Sequence, residues 1–408
     1  MHSIVHCRSC QSPDLRSLVS FGDMPVADLL IDPKEAQHPP ALFPLHLVFC
    51  PQCSLVQIRE TLPPEFLFNS DYPYFSSFSD DLLAHARDNA MELLRAEGLT
   101  EKHQVIEIAS NDGYMLRHFA DAGIPVLGID PAAGPVSAAR NIGIPTEQEF
   151  FTYELAQHWK ANGRTADVLI ANNVLAHVAD SLGFVKGLAA ILKPTGVASI
   201  EFPYVRDLID HCEFDTIYHQ HLCYFSVTSA QYLLAQAGLV IHDVRRLPIH
   251  GGTLRLYVSH DRPVSEAVVQ LLEQEQALGI ASVDYYLDFA NRVNSLRDEL
   301  RQLILELVES NHRIACYGAA AKGTTLLGCL GLPRNVMEYV VDRNVHKHGR
   351  MMPGSLLPIG RVERLAEDQP DYVLLLAWNF KDEIIRQQCE YRNAGGKFIV
   401  PIPQIQVI

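Results

Sequence analysis

The sequence predicts an α/β protein with two doubly wound, Rossmann-like units behind a small metal-stabilised N-terminal domain. Three observations carry that expectation. The run Val105-Ile106-Glu107-Ile108, the polar turn Ser110-Asn111-Asp112-Gly113 and the apolar-periodic Met115, Leu116 and Phe119 read as strand, turn and helix, and Val126-Leu127-Gly128-Ile129-Asp130 is a second strand. Arg313-Ile314-Ala315-Cys316-Tyr317 followed by Gly318-Ala319-Ala320-Ala321-Lys322-Gly323 repeats the pattern late in the chain. Two CxxC pairs, Cys7/Cys10 and Cys50/Cys53, stand about forty residues apart near the start.

In a doubly wound sheet, ligands sit outside the carboxyl ends of the strands, where an acid closing the second strand can meet a ribose. Asp130 holds that place. A dinucleotide needs a glycine cluster so that backbone can approach its pyrophosphate, yet the first turn carries only Gly113, and neither turn carries the full fingerprint. This argues against a nicotinamide-dependent oxidoreductase. An acid inside the strand, Glu107, with Asn111 and Asp112 in the turn, suits a cationic cofactor without phosphates, for which S-adenosylmethionine is the common choice.

At 408 residues the chain is long enough for two or three domains. A formal charge of −15 argues against general nucleic-acid or anionic-membrane binding, but leaves room for one local basic pocket. No apolar run of membrane-spanning length and no basic-then-apolar leader is present, so a cytosolic protein is expected. Each CxxC can present two thiolates from one knuckle, and two knuckles complete a closed tetrahedral Zn²⁺ site, structural because no coordination position stays open.

Between these landmarks, Tyr72-Pro73-Tyr74-Phe75-Ser76-Ser77-Phe78 is an aromatic and serine cluster before an expected helix over 80–97. It reads either as an aromatic plug between domains or as a lid whose tyrosine, Tyr72 or Tyr74, covers a sulfonium. A buried strand over 167–172 leads to Asn172, Asn173 and His177 at the same strand-end crevice, and the strand 196–204 carries Glu201 near its end. Tyr218-His219-Gln220-His221 is the densest set of titratable groups, with a histidine suited to general-base work on a carbon acid. His250-Gly251-Gly252 turns into a strand holding Arg255, and 263–310 reads as a linker helix pair. Lys322, Arg343 and Lys347 then supply positive charge for an anionic substrate, around the strands 339–342 and 372–377.

Taken together, the paired CxxC knuckles, Tyr72-Pro73-Tyr74-Phe75-Ser76-Ser77, Ser110-Asn111-Asp112-Gly113-Tyr114, Asn172-Asn173-Val174-Leu175-Ala176-His177, the segments 218–226, 250–255 and 318–323, and Val341-Asp342-Arg343-Asn344 resemble one family along the whole chain. It is the S-adenosylmethionine-dependent C-methyltransferases of deoxysugar biosynthesis, which act on nucleotide-linked 4-keto sugars. The resemblance implies a zinc-binding domain (1–68), a class I methyltransferase-like Rossmann domain (69–262), and linker helices with a C-terminal Rossmann-like substrate-binding domain (263–408). It implies His221 as the base that removes the C-3 proton and Tyr218 as its pocket neighbour. Read from the residues themselves, cofactor contacts are expected from Tyr74, Glu107, Asn111, Asp112, Asp130, Asn172, Asn173 and His177, and substrate contacts from Tyr72, His250, Arg255, Lys322, Arg343 and Lys347, with Gln220 beside His221 and Tyr218 in the catalytic set. Ala109 stands where the family has a glycine, and Gln220 where it has a glutamate. A scaffold reused for another substrate or reaction, and a silent cofactor-binding protein, are the competing expectations.

Overall fold

Val105–Ile108 (β1) is buried along its whole length, as a run of β-branched residues in a central parallel strand should be. Val126–Ile129 (β2), Thr146–Glu147 (β3), Ala166–Asn172 (β4), Leu192–Pro203 (β5), Val240–Leu247 (β6) and Thr253–Ser259 (β7) join it in a sheet of order β3-β2-β1-β4-β5-β7-β6. Pairing is parallel from β3 to β5, while β7 runs antiparallel to both β5 and β6. The order reverses between β1 and β4, so the strand-end crevice of the doubly wound fold opens there.

The computed structural model describes residues 1–38, 41–68 and 73–408. They form two units: Met1–Arg16, Val48–Arg206 and Leu222–Tyr285 make the first, and Ser17–Leu47, Asp207–His221 and Tyr286–Ile408 the second. In the first, helix Asp80–Ala96 (α1) starts on Ser79, whose hydroxyl accepts from the Leu82 N–H. Its Leu82, Ala86, Ala90 and Leu93 recur at helical spacing and pack with Val105, Phe119, Val168 and Val197 on one face of the sheet. Helix Leu116–Asp121 (α2) follows the turn after β1. Close packing explains Gly128 on β2, where a Cβ would lie 2.3 Å from Ser110 Oγ.

The second unit is built the same way. Ile314–Tyr317 (β8), Val340–Val341 (β9), Ile359–Gly360 (β10), Tyr372–Leu375 (β11), Lys397–Val400 (β12) and Gln406–Val407 (β13) form a sheet of order β10-β9-β8-β11-β12-β13. All are parallel except β13, and the order again reverses beside the first strand, β8. The expected helix pair is Glu266–Leu278 (α3), in the first unit, and Phe289–Glu309 (α4), in the second. Helix Ala321–Leu330 (α5) follows the turn after β8. Among the described residues no helix is long and apolar enough to cross a membrane.

The turn after β1 is tightly wound: Ala109, Asn111 and Gly113 take φ of 57°, 49° and 77°. Left-handed backbone costs a residue with a Cβ roughly 1–2 kcal/mol, and a glycine gives back about 0.5–1 kcal/mol through unfolded-state entropy. Ala109→Gly is therefore expected to stabilise the protein by up to about 1 kcal/mol, read as a higher urea midpoint with unchanged slope. An unchanged or lower midpoint would show that the turn carries no strain at this position.

Candidate cofactor and metal sites

The turn after β1 is braced from the next strand. Asp130, just past β2, accepts the Asn111 N–H at 3.0 Å on one carboxylate oxygen and the Ala132 N–H at 2.8 Å on the other. Burial pushes its carboxyl up to about 6 against the pull of those two N–H groups. Both oxygens are thus engaged in holding the crevice open, a task that precedes any ribose contact.

Asn111 and Asp112 in turn hold the aromatic and serine segment. The Asn111 side chain accepts the Ser76 N–H at 2.9 Å and donates to the Tyr74 carbonyl at 3.2 Å, and Asp112 accepts the Ser77 N–H at 3.1 Å. Residues 74–77 therefore lie over the strand-end turn, with Tyr74 39% exposed. Tyr72 lies outside the described residues. On the next strand, Asn172 donates to Met115 Sδ at 3.2 Å. Asn173 sits at φ 53° with its N–H on the Glu201 carbonyl, and His177 packs edge-on to Phe68.

At the centre stands Glu107, 1% exposed, with neither carboxylate oxygen hydrogen-bonded among the described residues. Burial, then Asp112, Asp130 and Glu201, raises its carboxyl well above the usual range. A buried acid beside three more acids is stable only when neutral or when a cation joins it. The group needed is small, cationic and bordered by hydrogen-bond donors, which fits the charged methionyl end of S-adenosylmethionine.

Glu201 is different, and Arg255 with it. Glu201 meets His85 Nε2 at 2.8 Å, Arg255 Nε at 2.5 Å and Asn89 Nδ2 at 3.3 Å. Burial would raise the Glu201 carboxyl, but His85 and Arg255 hold it below its ordinary value. Arg255, expected to contact substrate, is 4% exposed and committed to this ion pair. His85 and Asn89 escaped the sequence reading: they lie on one face of α1 at i, i+4, a polar break in an otherwise apolar stripe that could have flagged them. His250 caps the Gly-Gly turn at φ 60° before β7.

The four cysteines converge. Their sulfurs all lie within 4.8 Å of one another, with Cys7 to Cys53 at 3.5 Å and Cys10 to Cys50 at 3.4 Å. A tetrahedral zinc with Zn–S near 2.3 Å sets S···S at about 3.8 Å, so the donor set fits. The two knuckles are built alike: Cys7 N–H bonds the Ser12 carbonyl and Cys50 N–H the Leu55 carbonyl, while Gln11 and Ser54 both turn at φ 60°. Gln57 donates to Cys7 Sγ at 3.1 Å, an outer contact that favours thiolate. Arg8 staples the knuckle to the carbonyls of Ile58 and Glu60.

In the second unit, His221 Nδ1 lies 2.8 Å from the Thr216 carbonyl and Nε2 2.8 Å from the Tyr218 hydroxyl. Gln220 donates to the Ala27 carbonyl. The basic residues are all engaged rather than gathered in an open pocket. Lys347 is buried and donates to the Ala319 carbonyl at 2.7 Å, Lys322 lies 4.4 Å over the Trp378 ring, and Arg343 pairs with Glu383 at 2.8 Å. Trp378 itself donates to the buried Asp215 at 2.7 Å, a contact the sequence reading did not foresee.

Glu107→Gln tests the uncompensated acid. A carboxyl whose folded-state pKa is raised gives stability that is complete below its unfolded value, about 4.3, and is lost as pH rises through the folded value. The cofactor-free variant should therefore gain melting temperature over wild type as pH rises from about 5 to about 8, while losing affinity for S-adenosylmethionine by about tenfold or more. Parallel melting curves at both pH values, with unchanged affinity, would contradict this.

Three domain families match the chain: "Putative zinc binding domain" over residues 7–68, "Methyltransferase domain" over 81–244 and "C-methyltransferase C-terminal domain" over 248–403. The C-methyltransferase NovU of Streptomyces niveus is 35% identical over 408 residues, covering 99% of this chain and 97% of that protein. The ubiquinone biosynthesis O-methyltransferase of Aliivibrio fischeri (strain ATCC 700601 / ES114) is 27% identical over 154 residues, 37% of this chain, which spans 59% of that enzyme's length. Among solved structures, magnesium protoporphyrin IX methyltransferase (ChlM) from Synechocystis PCC 6803 aligns at 17% identity over 45% of this chain and 82% of that one, with a TM-score of 0.35. On its full-length likeness to NovU and its three matched domains, the chain belongs to the S-adenosylmethionine-dependent C-methyltransferases that carry an N-terminal zinc-binding domain.

Proposed function

We propose that the protein C-methylates a nucleotide-linked, dTDP-type 4-keto-deoxysugar, with His221 as general base. The observation that carries this reading is the fixed imidazole of His221. With Nδ1–H donating to the Thr216 carbonyl, the neutral ring presents the Nε2 lone pair, which the Tyr218 hydroxyl faces. That is the tautomer a base needs, already oriented.

The proton next to a keto group is weakly acidic and needs a positioned acceptor, His221 Nε2. Its loss leaves negative charge on the keto oxygen, to which Tyr218 donates once its hydroxyl leaves the imidazole. Bound S-adenosylmethionine supplies an electrophilic methyl group. Glu107, Asn111 and Asp112, with Asp130 bracing the turn, would hold the cofactor, and the segment 74–77, tied to Asn111 and Asp112, would cover it. The chain enters the first unit immediately after His221: the Leu222 N–H bonds the Ala176 carbonyl in the His177 turn at 2.7 Å. The nucleotide is assigned to the strand ends of β8 and β11, where the sheet order reverses and Lys322 and Arg343 are half-buried rather than sealed. The domain division 1–68, 69–262 and 263–408 then corresponds to zinc, cofactor and substrate functions.

Mass spectrometry of the protein with S-adenosylmethionine and a panel of dTDP-4-keto-deoxysugars tests the proposal. A product one methyl group heavier is expected, formed about 10²–10⁴ times more slowly by His221→Ala. Cofactor turnover on a different acceptor, with no methylated sugar anywhere in the panel, would favour the same scaffold acting on another substrate.

A further inference from the structure

We infer that Gln220 is a positioning residue whose neutral amide ties the Tyr218–His221 pair to the loop 26–31, a role that an ionised glutamate at this place cannot fill. The inference rests on the proposed role of His221. It starts from the Gln220 side chain, 2% exposed, whose Nε2 donates to the Ala27 carbonyl at 2.5 Å. Its Oε1 is buried with no hydrogen-bond partner among the described residues. On either side of it, His219 Nε2 bonds the Pro44 carbonyl, and His221 Nδ1 the Thr216 carbonyl.

The loop that receives Gln220 is itself anchored. Ile31 and Met351 exchange backbone hydrogen bonds at 2.9 Å each way, and Arg350 donates to the Leu30 carbonyl at 3.1 Å. Lys347, three residues before Arg350, reaches the Ala319 carbonyl in the turn after β8, and Asp342 accepts the Ala319 N–H at 2.6 Å. A chain of hydrogen-bonded contacts within the second unit thus runs from the base to the strand ends assigned to the nucleotide. Gln220 is its first link.

A carboxylate has only acceptors. Placed as Gln220 is, an ionised glutamate would set an anionic oxygen against the Ala27 carbonyl oxygen in a buried site, whereas the protonated acid could donate to that carbonyl as the amide does. The titratable groups around the contact are His219 and His221 on its own segment, half-buried Asp28 beside Ala27, and Lys347 and Asp342, which act on Asp28. Burial holds His219 toward its neutral form, so it supplies no compensating cation.

The experiment compares wild type, Gln220→Glu and Gln220→Ala by methyl-transfer rate and by melting temperature from about pH 5.5 to about pH 8.5. Taking each variant's rate relative to wild type at the same pH removes the titration of His221 that is common to both. The Gln220→Glu ratio should start near one in acid and fall by about tenfold or more at alkaline pH, in kcat rather than in KM for S-adenosylmethionine. Its melting temperature should drop further below wild type over the same range. Gln220→Ala should be slow at every pH. A Gln220→Glu ratio that is flat or rises with pH, or a fully active Gln220→Ala, would overturn the inference. If the wild type methylates no sugar in the panel, the proposed reaction fails, and the melting curves still decide the Gln220 contact: a constant gap between Gln220→Glu and wild type refutes it.

Discussion

A buried acid without a partner sets the terms for the first unit. Glu107 lies mid-strand in β1 with no donor on either oxygen among the described residues, and Asp112, Asp130 and Glu201 add to the negative potential around it. Such an arrangement costs folding free energy, and single buried polar groups left unpaired are worth about 1–3 kcal/mol each. The surrounding structure offsets that cost locally. Glu201 is paired with His85 and Arg255, Asp130 accepts two backbone N–H groups, and one oxygen of Asp112 accepts the Ser77 N–H. Glu107, with both oxygens unpartnered among the described residues, remains the acid most in need of a cation.

The two units share one bracing device. Asp130 closes β2 and accepts the N–H of Asn111 in the turn after β1 and of Ala132 two residues on. Asp342 closes β9 and accepts the N–H of Ala319 in the turn after β8, at 2.6 Å, and of Asn344 two residues on, at 2.7 Å. In both, a carboxylate locks the first strand-helix turn to the second strand at the point where sheet order reverses. The side chains beside each turn differ. The first leaves an unpaired acid, whereas beside the second Lys347 donates to the Ala319 carbonyl and Lys322 lies over the Trp378 ring.

Much of this was legible in residue order. The β-branched runs at 105–108 and 126–129 and the helix starting at Ser79 follow from local periodicity and capping, and the CxxC spacing announced a four-sulfur site. Less legible were contacts that depend on residues far apart in sequence. Arg255 looked available for substrate because nothing near it in sequence is acidic; its partner Glu201 comes from the neighbouring antiparallel strand, directly opposite in register. Lys347 looked like part of an open basic loop, yet a carbonyl 28 residues earlier takes its ammonium. Gln220 read as a missing carboxylate because its partner, the Ala27 carbonyl, lies 193 residues away and leaves no mark in side-chain sequence. Nor does residue order show that each compact unit draws on three separate stretches of chain.

The central claim is that the strand-end crevice of the first unit would hold its cofactor through Glu107, whose carboxyl is raised by burial and would be lowered by a bound cation. Titration calorimetry of S-adenosylmethionine into the protein near pH 7, in two buffers of different ionisation enthalpy, measures it directly. Because burial raises the Glu107 carboxyl and a bound cation favours its ionised form, the account predicts net proton release on cofactor binding. Equal binding enthalpies in the two buffers, or proton uptake, would contradict it.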